Sequence, residues 1–210
     1  MPPSIRPARA RPGQEPAGPP GPAPFVLYVE GPRDRDVLRI WCERHQPGSV
    51  EIVGQAVILG GRQPHRAVEH FRVVRDADPD ARGLCVLDRD DAPAPEPASD
   101  EPGLELFTWG RRHLESYLLV AAALRRAGRD QKERFRLERF ARDSLPPASD
   151  EPAWRRLDAK RLLERDGPLH RILGRPLPTG TIARSLRGDE LHGDVLSLLG
   201  RLISAIRGAG

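Results

Sequence analysis

Cysteine is nearly missing from this 210-residue chain: Cys42 and Cys85 are the only two, and no CxxC spacing joins them. This excludes a disulfide-stapled framework and a clustered-cysteine metal site. It leaves two free, buried thiols, a reading that fits a reducing cytoplasm. Lysine is almost missing too. Of 34 basic residues only Lys132 and Lys160 are lysines, and the rest are arginines. An arginine replaces most surface lysines but not one acting as a compact charge, so the two that remain mark positions of interest. No apolar run approaches the ~20 residues needed to cross a bilayer, and the N-terminus lacks the apolar core of a signal peptide, so a cytoplasmic protein without a membrane partner is expected. A strong charge imbalance is also lacking. With 34 bases against 30 acids, a formal charge of +4 and a pI near 9.6, the composition permits a nucleic-acid partner without requiring one.

What is present starts with residues 1–24, dominated by Pro, Ala, Gly and Arg. They have too few large apolar groups to offset ordering entropy and read as a disordered arm whose Arg6, Arg9 and Arg11 either touch phosphates or remain solvated. Phe25 to Val29 is a short apolar run of β-formers bounded by Pro24 and Gly31, which predicts a buried strand. Gly31 turns the chain, and Pro32 suits the first position of a helix running to about His45, with Val37, Leu38, Ile40 and Trp41 on its buried face. Ser49 to Val53 and Ala56 to Leu59 predict a second strand ending at Gly60-Gly61-Arg62, and a helix follows from about Pro64 to Ala77. Gly83 to Leu87 is another short apolar strand, running directly into Asp88. Residues 92–103 read as a flexible loop, Leu104 to Trp109 as a strand, and the stretch from Arg111 to Val120 as a strong helix. Beyond Gly128 the pattern is helical, over residues 130–143, 151–165 and 189–206, with Pro- and Gly-rich joints.

Strands alternating with helices predict an α/β, Rossmann-like, mainly parallel sheet flanked by helices, here over residues 25–127. Residues 128–210 form an all-helical extension expected to pack on it. Five acids share one setting: Glu30, Asp34, Asp88, Asp90 and Glu115 each fall at the carboxyl end of a strand or in the first turn of the next helix. In an open α/β sheet that edge is where ligands bind. Five carboxylates meeting there would repel without cations, and hard oxygen donors with no Cys/His cluster select Mg²⁺ or Mn²⁺ over zinc. The chemistry expected is phosphoryl transfer with two ions ~4 Å apart. Taken singly, an acid after a strand is a common helix cap. Asp91 reads as a loop residue beside the site.

Val29-Glu-Gly with Asp34 following, Gly60-Gly61, and Leu87-Asp-Arg-Asp90 resemble the topoisomerase-primase (Toprim) pattern of an acid after the first strand and a DxD after a later one. Trp109-x-Arg-Arg-His-Leu-Glu-Ser-Tyr-Leu-Leu, followed by the isolated Lys160, is similar to the Toprim nucleases of the overcoming-lysogenization-defect (OLD) family and related stand-alone Toprim-like proteins. The resemblance covers roughly Phe25 to Lys160. It implies a Toprim-like fold, metal binding by Glu30, Asp34, Asp88, Asp90 and Glu115, and His113 near the site. It also implies Lys160 facing the transition-state charge, Gly60 and Gly61 shaping the backbone, and DNA as substrate. OLD proteins carry an ATPase ahead of the Toprim domain. This chain has no GxxxxGK[ST] loop, so an ATPase acting with it, for instance in phage defence, would be a separate chain. A dimer is compatible with this picture. Tyr28 and Tyr117 fall inside predicted elements, which argues against a covalent tyrosyl mechanism.

Two alternatives remain open. A haloacid-dehalogenase-like phosphatase would use Asp88-x-Asp90, although that chemistry wants the motif after the first strand, with Thr or Val where Ala92 stands. A non-catalytic Toprim-like module would bind nucleic acid or a partner ATPase.

Overall fold

The apolar run Phe25–Val29 forms strand β1, and Gly31-Pro32 turns it directly into helix α1 (Pro32–His45). The computed structural model describes residues 23–92 and 99–207. Apart from its last two residues, the expected N-terminal arm lies outside them, as do residues 93–98 of the expected loop. After α1 come a 3₁₀ turn (Pro47–Ser49), α2 (Val50–Gly54), β2 (Val57–Ile58), α3 (Pro64–Ala77), β3 (Arg82–Leu87) and β4 (Leu104–Thr108). A 3₁₀ turn (Leu114–Tyr117) leads to α4 (Ala121–Ala127), α5 (Gln131–Ser144), α6 (Glu151–Arg156), α7 (Ala159–Leu163), α8 (Pro168–Leu173) and α9 (Thr179–Ser185). A last 3₁₀ turn (Gly188–Glu190) precedes α10 (Gly193–Arg207).

The four strands make one all-parallel sheet in the order β2-β1-β3-β4, the α/β, Rossmann-like architecture that the alternating pattern predicts. Both faces are covered, so successive residues of each strand enter different cores. Leu27, Val29, Leu84, Val86 and Phe107 pack with α1 and the later helices in a large core that continues to Leu202 of α10. Tyr28, Cys85, Leu87 and Leu104 pack on Ala67 and Phe71 of α3 in a smaller one. Gly83 is what lets α3 come this close: a Cβ there would stand 2.9 Å from both Phe71 and Leu104. Cys42 and Cys85 are buried, and neither forms a disulfide.

Four expectations need correction. Residues 49–53 do not extend the second strand but form the turn and α2. Pro47-Gly48 starts a turn, and Val50 and Val53, three apart, face the α1 side of the core, which leaves β2 two residues long. The stretch 111–120 is not a strong helix but a single 3₁₀ turn. Its residues 114–117 are all buried, and tertiary contacts described below claim its backbone and side chains. The helix expected over 151–165 breaks at Leu157-Asp158, where the Asp158 carboxylate accepts the Arg161 N–H at 3.0 Å and restarts the chain as α7. Finally, the Pro- and Gly-rich joint before α10 contains two helices, α8 and α9. Pro168 opens α8 and Gly174, left-handed at φ +70°, closes it.

Candidate functional site

Chain order reverses between β1 and β3, since β1 leads outward to β2 and β3 leads the other way to β4. Their carboxyl ends lie side by side there, with Val29 in register with Val86, and this is where an open α/β sheet leaves a crevice. Glu30 follows Val29 and Asp88 follows Leu87, and both are buried. The Asp88 N–H donates to Glu30 Oε1 at 2.8 Å, which ties the two strand ends together. Behind Glu30, the N–H groups of Gly60 and Gly61 donate to its carbonyl oxygen at 2.9 and 3.0 Å. They do so with φ of +79° and +117°, conformations that glycine adopts without steric cost. The Gly60-Gly61 pair thus shapes the backbone beneath Glu30.

Asp34 lies in the first turn of α1, half-buried, and its Oδ2 accepts the Gly31 N–H at 2.8 Å. It is a helix cap, and it also feels the charges of Asp88 and Glu115. The Asp88 carboxylate is fully engaged: Oδ1 accepts the Leu114 N–H at 2.8 Å and Oδ2 accepts Lys160 Nζ at 2.5 Å. The first of these bonds pins the 3₁₀ turn. Glu115 on that turn is 1% exposed; its Oε1 is 3.3 Å from Arg33 Nη1, and its buried Oε2 has no hydrogen-bond partner. Asp90 sits at the rim with φ +50°, the one described non-glycine residue in the left-handed region. Its N–H donates to the Arg112 carbonyl at 2.9 Å, and its carboxylate is 3.5 Å from His113 Nε2 and 3.9 Å from Arg62 Nε.

Electrostatics follow from this crowding. Burial, then the charge of Asp88, raises Glu30 from its ordinary 4.5 to about 7. Burial, then Asp88 and Glu115, raises Asp34 to about 7. Burial also works against the Lys160 ammonium, but its hydrogen bond and ion pair with Asp88 outweigh that and raise its pKa. His113 is pushed down by burial and by Lys160, which favours the neutral imidazole.

The fold therefore brings together Glu30, Asp34, Asp88, Glu115 and Lys160, with Asp90, His113, Gly60 and Gly61 around them. Asp91 is not brought in: it is largely exposed and pairs outward with Arg112 at 3.0 Å. Three contributors were not singled out from the sequence. Arg33 contacts Glu115, Arg62 donates to the Asp88 carbonyl at 2.9 Å, and Asp158 stands 3.8 Å from His113 Nδ1 while capping the helix that carries Lys160. Arg62 directly follows the glycine pair, and Asp158 stands two residues before the isolated lysine, so adjacency was the available signal. Tyr28 and Tyr117 are buried, and the Tyr117 hydroxyl donates to Asp194 at 2.5 Å.

The donor set is suited to a hard divalent cation: it offers only carboxylate oxygens, two acids whose ionisation burial opposes, and an orphaned buried oxygen on Glu115. As arranged, no three His, Cys, Asp or Glu side chains among the described residues are poised to hold an ion, and the Lys160 ammonium supplies the positive charge at Asp88. Among the described residues, no helix is long and apolar enough to cross a membrane. No family model, curated protein or solved structure matches the chain.

Proposed function

We propose that this protein is a divalent-metal-dependent nuclease of the Toprim type, hydrolysing DNA phosphodiester bonds. The observation that carries the reading is the convergence of Glu30, Asp34, Asp88 and Glu115 at the β1/β3 carboxyl edge, with Asp90 at the rim and Lys160 on Asp88. In this reading Glu30, Asp34, Asp88, Asp90 and Glu115 would hold two Mg²⁺ or Mn²⁺ ions, which supply Lewis acidity toward a phosphodiester.

The protein's own groups have separable roles. Glu30, tied to the end of β3 by the Asp88 N–H, would hold an ion and position the attacking water bound to it. Lys160, the compact cation of the site, neutralises charge building on the phosphate, and its bond to Asp88 holds it at the carboxyl edge until that charge arrives. Arg33 and Arg62 add positive charge beside the acids. His113 stands beside Asp90, its Nε2 at 3.5 Å from the carboxylate. A separate ATPase partner belongs to the same reading, through the OLD resemblance alone.

The test is cleavage of a supercoiled plasmid with Mg²⁺ or Mn²⁺. Activity that is lost in Glu30→Gln and Asp88→Asn is expected, and wild type no more active than either variant would end the nuclease reading. One observation favours a second reading. Asp88 is satisfied by Lys160 and Leu114, and Asp34 accepts the Gly31 N–H ahead of α1, so the cluster also serves as a structural joint of a non-catalytic nucleic-acid-binding module. Tight DNA binding without turnover under any divalent ion would select it.

A further inference from the structure

Arg125 and Arg126 close α4, Arg134 lies near the start of α5, and Arg187 immediately precedes the 3₁₀ turn Gly188–Glu190. The fold gathers these four around one cleft of about 410 Å³, where Ala122 is the only other lining residue among those described. None of them belongs to the carboxylate site. Their commitments differ. Arg126 is structural, paired with Glu190 and donating its Nε to the Ser185 carbonyl at 2.8 Å. Arg125 has Glu138 at 3.6 Å, both well exposed. Arg134 donates its Nε to the Gly128 carbonyl at 3.2 Å, which fixes the guanidinium stem of a residue that lines the cleft. Its helix neighbour Glu133 is taken by Arg175 at 2.6 Å. Among the described residues, neither Arg134 nor Arg187 has a carboxylate at ion-pair distance, although the Arg187 backbone N–H donates to Glu190 at 2.9 Å and that carboxylate feels the Arg187 charge.

Four guanidinium groups thus face one cleft with two carboxylates, Glu138 and Glu190, to balance them. Like charges gathered in this way repel, and an anion between them removes the penalty. The planar fork of arginine matches two phosphate oxygens at once, and a single alanine offers no aromatic or apolar surface for a base, a sugar or an acyl chain. The volume suits a small ligand or a short stretch of a polymer. We propose that this cleft binds a phosphate-rich anion through Arg134 and Arg187. Free oligophosphate and the backbone of nucleic acid share this chemistry.

The experiment uses the full chain carrying Glu30→Gln, in EDTA, so that neither cleavage nor ion binding at the carboxylates contributes. Inorganic tripolyphosphate is titrated calorimetrically, and a labelled single-stranded oligonucleotide by anisotropy. At least one should bind, more weakly as salt rises. The added pair Arg134→Gln and Arg187→Gln should weaken that binding about tenfold or more while lowering the melting temperature by no more than about 4 °C, because both side chains are exposed and the bond lost is the one from Arg134 to the Gly128 carbonyl. Tripolyphosphate binding that is lost in the variant identifies a free oligophosphate ligand, and oligonucleotide binding alone identifies the nucleic-acid backbone. If the pair unfolds, Arg187→Gln alone must still weaken binding at least about threefold. Failure of both probes to bind, or binding unchanged by these substitutions, overturns the proposal and leaves the carboxylate-site reading untouched.

Discussion

Raising the pH from 5 to 8 in the presence of EDTA should destabilise the fold, and a divalent ion should restore what is lost. Glu30 rises from 4.5 to about 7 and Asp34 from 3.8 to about 7 when the chain folds. A carboxyl that holds its proton more tightly in the folded state contributes stability that is fully present below its unfolded value. That contribution is lost as pH climbs through the folded one, so the window runs from about 4 to about 7. Each tenfold gain in proton affinity is worth about 1.4 kcal/mol, so ionising Glu30 in place costs on the order of 3 kcal/mol. Asp34 adds less than its own full amount, because both acids draw on the charge of Asp88. For a chain of this size, about 3 kcal/mol corresponds to a melting-temperature change of roughly 6–12 °C. Thermal unfolding is followed at several pH values for wild type and for Glu30→Gln, whose amide oxygen still accepts the Asp88 N–H. Wild type should lose stability relative to the variant as pH rises. Mg²⁺ at about a hundred times its dissociation constant should return on the order of 2.7 kcal/mol at pH 8. It should return much less at pH 5, where protons compete. Parallel pH profiles for the two proteins, or equal stabilisation by Mg²⁺ at both pH values, would mean that Glu30 is not the group that titrates.

Lys160→Met leaves the buried Asp88 without its cation, and because the lysine is 37% exposed the expected cost is about 1–2 kcal/mol, measured by urea unfolding. The same variant should abolish plasmid cleavage. Gly83→Ala should cost about 1–3 kcal/mol in the same urea assay, since the new methyl stands 2.9 Å from Phe71 and Leu104 in a packed interface; unchanged stability would mean that α3 is free to move away.

The acids that meet at the sheet edge were legible because the device that places them is local. An apolar strand running into a carboxylate can be read from Val29-Glu30 and Leu87-Asp88 without knowing which strands are neighbours. Lys160 was legible for a compositional reason, as one of two lysines in an arginine-rich chain. What could not be read is how that lysine arrives. It depends on the break at Asp158, since an unbroken helix over 151–165 would have pointed residue 160 differently. The stretch 111–120 failed for a related reason. Its apolar spacing suits a helix, but Asp88 claims the Leu114 N–H, the Arg111 guanidinium claims the Ser116 carbonyl and Asp194 holds the Tyr117 side chain, so side chains take backbone groups that a helix would use.

By itself, the sequence determined the alternation of strands and helices, the two-sided burial of the strands, and the positions of the acids along the chain. Periodicity and turn chemistry act over a few residues and need no partner. Folding in three dimensions sets the strand order, the meeting of Glu30 with Asp88, the ammonium held at that junction, and the gathering of four arginines from two helices and a connecting segment into one cleft. Those depend on which surfaces exclude water together, which is a property of the whole packed core.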